Sequence, residues 1–129
     1  MSKKILVIGS GIAGISASLK LKSYGLKTTI IDKGNFIGGR ISTHFEKSQI
    51  NSLSFFHGAQ FFTARTNSFQ KIIKQGISKN HIQKYMDFFP IRYRGFPNMR
   101  NFLTSISSEL DIRQKESVIA VSYTHLTLP

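Results

Sequence analysis

The chain opens on an apolar run, Ile5-Leu6-Val7-Ile8, that stops abruptly at Gly9-Ser10-Gly11-Ile12-Ala13-Gly14. A short apolar run cut off by glycine reads as a strand followed by a tight turn. The pattern then changes to helical spacing through Ile15, Ser18, Leu19, Leu21 and Lys22, with Ile15, Leu19 and Leu21 on the inner side. Gly25 is placed to end that helix. Thr28-Thr29-Ile30-Ile31 is β-branched throughout and predicts a second strand that ends on Asp32.

Further along, Thr43–Lys47 and Ile50–Phe56 predict two short strands. Thr66 or Asn67 caps a helix running to Gln75, with Phe69, Ile72 and Ile73 inward and Gly76 as its stop. Ile77–Arg94 is aromatic, basic and poorly periodic, and reads as further strands. Asn98 caps a helix whose apolar face is Phe102, Leu103, Ile106 and Leu110. Ile112–Ala120 then reads as a strand returning to the first sheet. There is no internal repeat or low-complexity linker.

The spacing of the first glycines carries chemistry. Gly9 permits the tight turn, Gly11 lets the backbone approach a pyrophosphate, and Gly14 lets helix and strand pack closely. A helix N-terminus placed there offers unpaired N–H groups and partial positive charge to phosphates. Asp32 stands near the distance at which a carboxylate accepts hydrogen bonds from an adenosine ribose. The same residues could form a glycine-rich turn with no ligand, but the strand, glycines, helix, second strand and acid all fall in register. They favour a dinucleotide.

After Asp32 and Lys33 comes Gly38-Gly39-Arg40-Ile41-Ser42-Thr43, which resembles the extended flavin fingerprint of the amine oxidase superfamily. Phe55-Phe56-His57-Gly58-Ala59-Gln60-Phe61-Phe62-Thr63-Ala64-Arg65 resembles a segment of renalase-like, FAD-dependent oxidoreductases, and Gly95-Phe96-Pro97-Asn98-Met99 resembles another. Together these motifs span Lys3 to about Val118. The resemblance implies an α/β fold: a Rossmann-like FAD-binding βαβ unit with the start of an inserted α+β substrate domain. It divides the chain at residues 1–60, 61–110 and 111–120, the last returning to the FAD-binding part.

The resemblance also implies roles. Gly9, Gly11, Ile12, Ala13 and Gly14 would hold the pyrophosphate through backbone amides, and Asp32 would take the ribose with Lys33 beside it. Gly39 and Arg40 would lie along the pyrophosphate, Arg40 through charge-assisted hydrogen bonds. Gly58, Ala59, Gln60 and Phe61 would approach the flavin ring, while Phe55, Phe56 and Phe62 read as core. His57 reads as a hydrogen-bonded structural histidine rather than a general base. Phe56 stands where the family has aspartate, and Asn98 where it has glycine. The implied activity is hydride transfer from an amine or dihydronicotinamide-type small molecule to FAD and then to oxygen. A non-catalytic NAD-binding module is the alternative, although such a site has no need of Gly38-Gly39-Arg40.

Composition narrows the rest. With no cysteine among 129 residues, disulfides and thiolate chemistry are excluded, and His44, His57, His81 and His125 lack metal-ligand spacing, so no metal is expected. The net charge of +12 is spread along the chain without a basic block, which disfavours nucleic acid as a partner. Lys3 and Lys4 before the apolar stretch give a superficial likeness to a signal peptide, but the glycines break it and the stretch is too short for a membrane span. A cytoplasmic location and no membrane partner are therefore expected. Residues 121–129, Val121-Ser122-Tyr123-Thr124-His125-Leu126-Thr127-Leu128-Pro129, resemble a translated sequencing adapter. The expectation is a truncated, inactive N-terminal fragment with part of its sheet uncovered.

Overall fold

The structure, a computed structural model, describes residues 4–41, 43–47, 52–56 and 58–122. His57, Ile50 and the tail from Tyr123 lie outside these, as do the expectations placed on them. Strand β1 (Ile5–Ile8) leads into helix α1 (Ile12–Ser23), then β2 (Thr28–Asp32). A 3-10 turn over Gly39–Ile41 precedes the antiparallel pair β3 (Thr43–Lys47) and β4 (Ser52–Phe56). Helix α2 (Asn67–Ser78) is followed by the hairpin β5 (Ile82–Met86) and β6 (Arg92–Gly95), then α3 (Met99–Ile106) and β7 (Asp111–Gln114).

The first sheet has the order β1-β2-β7 and is parallel throughout, with Ile8 opposite Ile31 and Asp32 opposite Gln114. The α/β fold expected from the sequence is therefore present. Helix α1 ends as Gly25 foretells: with φ +74 it sends its N–H to the Lys22 carbonyl, while Leu26 N–H reaches back to Leu21. This pair of bonds satisfies carbonyls that the helix end leaves open. The buried face of α1 departs from the expectation, since Ser18 and Ile15 are wholly enclosed whereas Leu21 is only half-buried.

One core joins the βαβ unit to the later elements: Ile15 and Ile30 meet Ile73 of α2, Ile82 of β5, and Phe102 and Leu103 of α3. Phe62 is its hinge point, stacking on Phe102 at 5.1 Å between ring centres and meeting Phe69 and Tyr93. Thr66, rather than Asn67, caps α2 by accepting from Phe69 N–H. Asn98 caps α3 by accepting from Asn101 N–H at 3.1 Å, which gives its side chain a task that glycine could not perform.

Three expectations need correction. Gly76 does not stop α2; the helix continues to Ser78, and a Cβ at Gly76 would lie 2.4 Å from Ile82 Cδ1. That glycine serves close packing, and the reversal falls at Asn80 with φ +58. Ile72 is 38% exposed and Phe55 52% exposed, so neither is core. The last strand begins at Asp111 and ends at Gln114, well short of Ala120. Lys115 takes φ +62, and the N–H groups of Lys115 and Glu116 turn back to the carbonyls of Gly34 and Asp32. No helix among the described residues is long and apolar enough to cross a membrane.

The Ser18 hydroxyl is buried without a hydrogen-bond partner. Ser18→Ala removes an unsatisfied group and improves helix propensity, so it is expected to stabilise the protein by about 1 kcal/mol. Urea unfolding of both proteins checks this; a lower midpoint for the variant contradicts the burial of an idle hydroxyl.

Candidate functional site

Three of the sequence motifs meet at the carboxyl end of β1 and β2. Gly9 follows β1 with φ +99 and donates its N–H to the Ile31 carbonyl, which fixes the turn. Gly38, with φ +126, bridges Gly11 and donates to the Ser10 carbonyl at 3.1 Å. Ala59 N–H in turn donates to the Arg40 carbonyl at 2.8 Å. The Gly9–Gly14 turn, the Gly38–Arg40 loop and the Gly58–Gln60 segment are thus tied together by backbone hydrogen bonds.

The glycines divide by what surrounds them. A Cβ on Gly14 would fall 2.0 Å from the Gly9 carbonyl oxygen, so only glycine allows α1 this close to the turn. A Cβ on Gly11 would meet nothing within 4 Å, although the backbone there is ordinary. Gly11 therefore borders open space at the start of α1, where no side chain caps the helix and its first turn holds no acid. Unpaired N–H groups facing an open space are what an anionic ligand needs. Ile12, Ala13, Gly39 and Arg40 are all exposed around it.

Asp32 does more than the sequence implies. Its Oδ2 accepts from Ser10 N–H at 2.6 Å and from the Ser10 hydroxyl at 2.7 Å, and its Oδ1 accepts from Gly34 N–H at 2.7 Å. A carboxylate has about four acceptor positions, so Oδ1 retains about one. Burial on its own raises the Asp32 pKa; the amides of Ser10 and Gly34, the Ser10 hydroxyl and the Lys33 charge outweigh it, and the net shift is downward. A cleft of about 650 Å³ opens beside the carboxylate, lined by Lys33, Gly34, Phe36, Gly39, Thr43 and Arg100 among others. Arg100 crosses it, with its guanidinium over the Phe36 ring at 4.5 Å and a hydrogen bond to the Thr43 carbonyl.

Ser10 and Arg100 are the residues that sequence reasoning passed over. Ser10 was legible as a small hydroxyl residue between two glycines, facing an acid 22 positions later. Arg100 had no such signal. Gly58, Ala59, Gln60 and Phe61 are exposed next to the loop, while Phe62 turns into the core. Among the described residues no group of histidine, aspartate and glutamate could hold a metal.

The family of NAD(P)-binding Rossmann-like domains matches residues 7–75, more than half of the chain. The chain belongs to this family. Within this Rossmann-like family, the domain is 45% identical over 40 residues to a 4,4'-diaponeurosporene oxygenase of Staphylococcus haemolyticus, covering 31% of the chain and 8% of that protein. A phytoene desaturase of Fusarium fujikuroi is 43% identical over 42 residues, covering 33% and 7%. A 1-hydroxycarotenoid 3,4-desaturase of a Flavobacterium species is 44% identical over 39 residues, covering 30% and 8%. The matched stretch spans less than a tenth of each of these relatives. FAD is the cofactor that this family and these relatives support, and the open glycine turn, uncapped helix start and Asp32 fit its adenosine diphosphate half.

The two kinds of glycine are expected to respond differently to a methyl group. Gly14→Ala should lower stability by about 1–3 kcal/mol through overpacking, whereas Gly11→Ala leaves the unfolding midpoint unchanged. Chemical denaturation of the pair tests it, and equal losses contradict the assignment of space. Asp32 has its folded pKa below the unfolded value, so its contribution is complete above about pH 4 and is lost as pH falls through the folded pKa. Asp32→Asn should therefore flatten the acid limb of the stability curve. A variant as acid-sensitive as the wild type in that window argues against it.

Proposed function

We propose that the chain supplies the FAD-binding region of a flavin-dependent oxidoreductase of the renalase and amine oxidase type. The observation that carries this reading is the backbone linkage of Gly11 to Gly38 and of Arg40 to Ala59, which assembles a flavin fingerprint around the phosphate turn rather than a nucleotide turn alone. In this reading the amides of Gly11, Ile12, Ala13 and Gly14 bind the pyrophosphate and Arg40 neutralises it. Asp32 orients the ribose through its remaining acceptor position, and Lys33 lies beside it. Gly58, Ala59, Gln60 and Phe61 approach the ring. Residues 61–110 begin the part that shapes the substrate site, and the protein acts in the cytoplasm.

When bound, FAD supplies a two-electron acceptor. The net reaction removes a hydride from an amine or dihydronicotinamide-type substrate and delivers two electrons and two protons to dioxygen, giving hydrogen peroxide. An amine supplies the second proton itself as it becomes an imine, whereas a dihydronicotinamide loses only the hydride and the second proton comes from water. The chain's own residues bind and orient; none is required as a covalent nucleophile.

Equilibrium dialysis of the full chain against FAD and NAD tests the reading. FAD is expected to bind at least tenfold more tightly than NAD. Gly11→Val is expected to lower FAD affinity at least tenfold with an unchanged far-ultraviolet spectrum, because its side chain occupies the ligand's space rather than the protein's. A preference for NAD would overturn the flavin assignment in favour of a nucleotide-binding module.

A further inference from the structure

The β5–β6 hairpin carries a cluster that the nucleotide site does not use. Arg92 is half-buried with its guanidinium 4.6 Å from the Phe61 ring centre and 5.0 Å from that of Phe88. Phe61 also stacks on Tyr85 at 6.3 Å. These rings are left partly open, with Phe61 40%, Tyr85 38% and Phe88 55% exposed. Aromatic faces hold a guanidinium by cation–π attraction while leaving its N–H edge free.

Among the described residues that edge meets no anion. Arg92 Nη1 donates only to the Met86 thioether at 3.2 Å, a weak acceptor. The hairpin's one acid, Asp87, is taken by Lys84 at 3.1 Å. Among the described residues no carboxylate lies within ion-pair distance of Arg92. Arg94 differs: it lies over the Tyr85 ring, and the Gln83 side-chain oxygen can accept from its Nε at 2.5 Å.

The cluster is also mechanically joined to the site. Ala59 hangs on Arg40, and Phe62 exchanges both backbone hydrogen bonds with Tyr93 at 2.8 and 2.9 Å. Phe61 and Arg92 are the neighbours of that pair. Two residues span at most about 7 Å, so Arg92 flanks the segment proposed to approach the ring.

We propose that Arg92, framed by Phe61 and Phe88, is an anion subsite that receives the carboxylate of a flat, largely apolar organic substrate. This deepens the flavin reading and rests on it for the word substrate. The bidentate fit of carboxylate to guanidinium supplies orientation, and the open ring faces supply contact for the body of the molecule.

The test uses 4-fluorobenzoate as probe and 4-fluorobenzyl alcohol as its neutral counterpart, followed by fluorine NMR titration of the full chain with and without FAD. The carboxylate is expected to bind at least tenfold more tightly than the alcohol. Arg92→Gln should remove that difference and Arg92→Lys restore part of it, while Lys20→Gln, which removes a charge elsewhere, leaves it intact. Equal binding of acid and alcohol by the wild type, or equal losses in the Arg92 and Lys20 variants, overturns the subsite. Because the probe reports on Arg92 directly, a failure to bind FAD counts against the flavin reading alone, and the subsite stands or falls on the titration of the hairpin.

Discussion

The Asp32 carboxylate is the fixed point on which the site depends. It closes the β1–α1 turn through the Ser10 amide and hydroxyl, and it orders the following turn through Gly34 N–H. Its main-chain carbonyl also receives Glu116 N–H, which wraps the end of β7 around the end of β2. Hydrogen bonds to an ionised acceptor are roughly twice as strong as neutral ones. The acid therefore holds the glycine turn in shape with no nucleotide bound, next to the open space at Gly11.

This changes how the acid at the end of β2 is understood. From sequence it reads as a ribose ligand, because its distance from the glycines matches that task. In the fold, three of its acceptor positions serve the protein. In the proposed reading a ligand finds a pre-oriented carboxylate with roughly one position open, which limits the reorganisation that binding requires.

The βαβ unit was legible because its constraints are local. Glycines at fixed spacing, a Gly25 helix end and a β-branched run each impose one conformation on a few neighbouring residues. The errors fall where distant residues decide. Gly76 looks like a helix stop until Ile82 is packed against it, and the residues after Gln114 look like strand until their amides are drawn back to Gly34 and Asp32. Phe61 and Phe62 are adjacent and chemically identical, yet one is exposed and the other half-buried against the core. Only the pairing of Phe62 with Tyr93 separates them, and that pairing is long-range.

The charge balance acquires a use once the ion pairs are located. Of the chain's 6 acids, Asp32 is held by amides and a hydroxyl, while Glu46, Asp87, Glu109 and Asp111 face His44, Lys84, Lys22 and Arg113. Exposed pairs of this kind contribute little to stability. Lys84, Lys22 and Arg113 do, however, offset the charges of Asp87, Glu109 and Asp111 locally, and the chain as a whole keeps its net charge of +12. An uncapped helix start at the phosphate turn and an arginine between two rings then lie in a field that favours anions at both ends of the Ala59–Phe62 segment. Such a field is screened within about a Debye length, roughly 8 Å at physiological salt. In the proposed reading its part is to gather anionic ligands, and Gly11, Asp32 and Arg92 select among them.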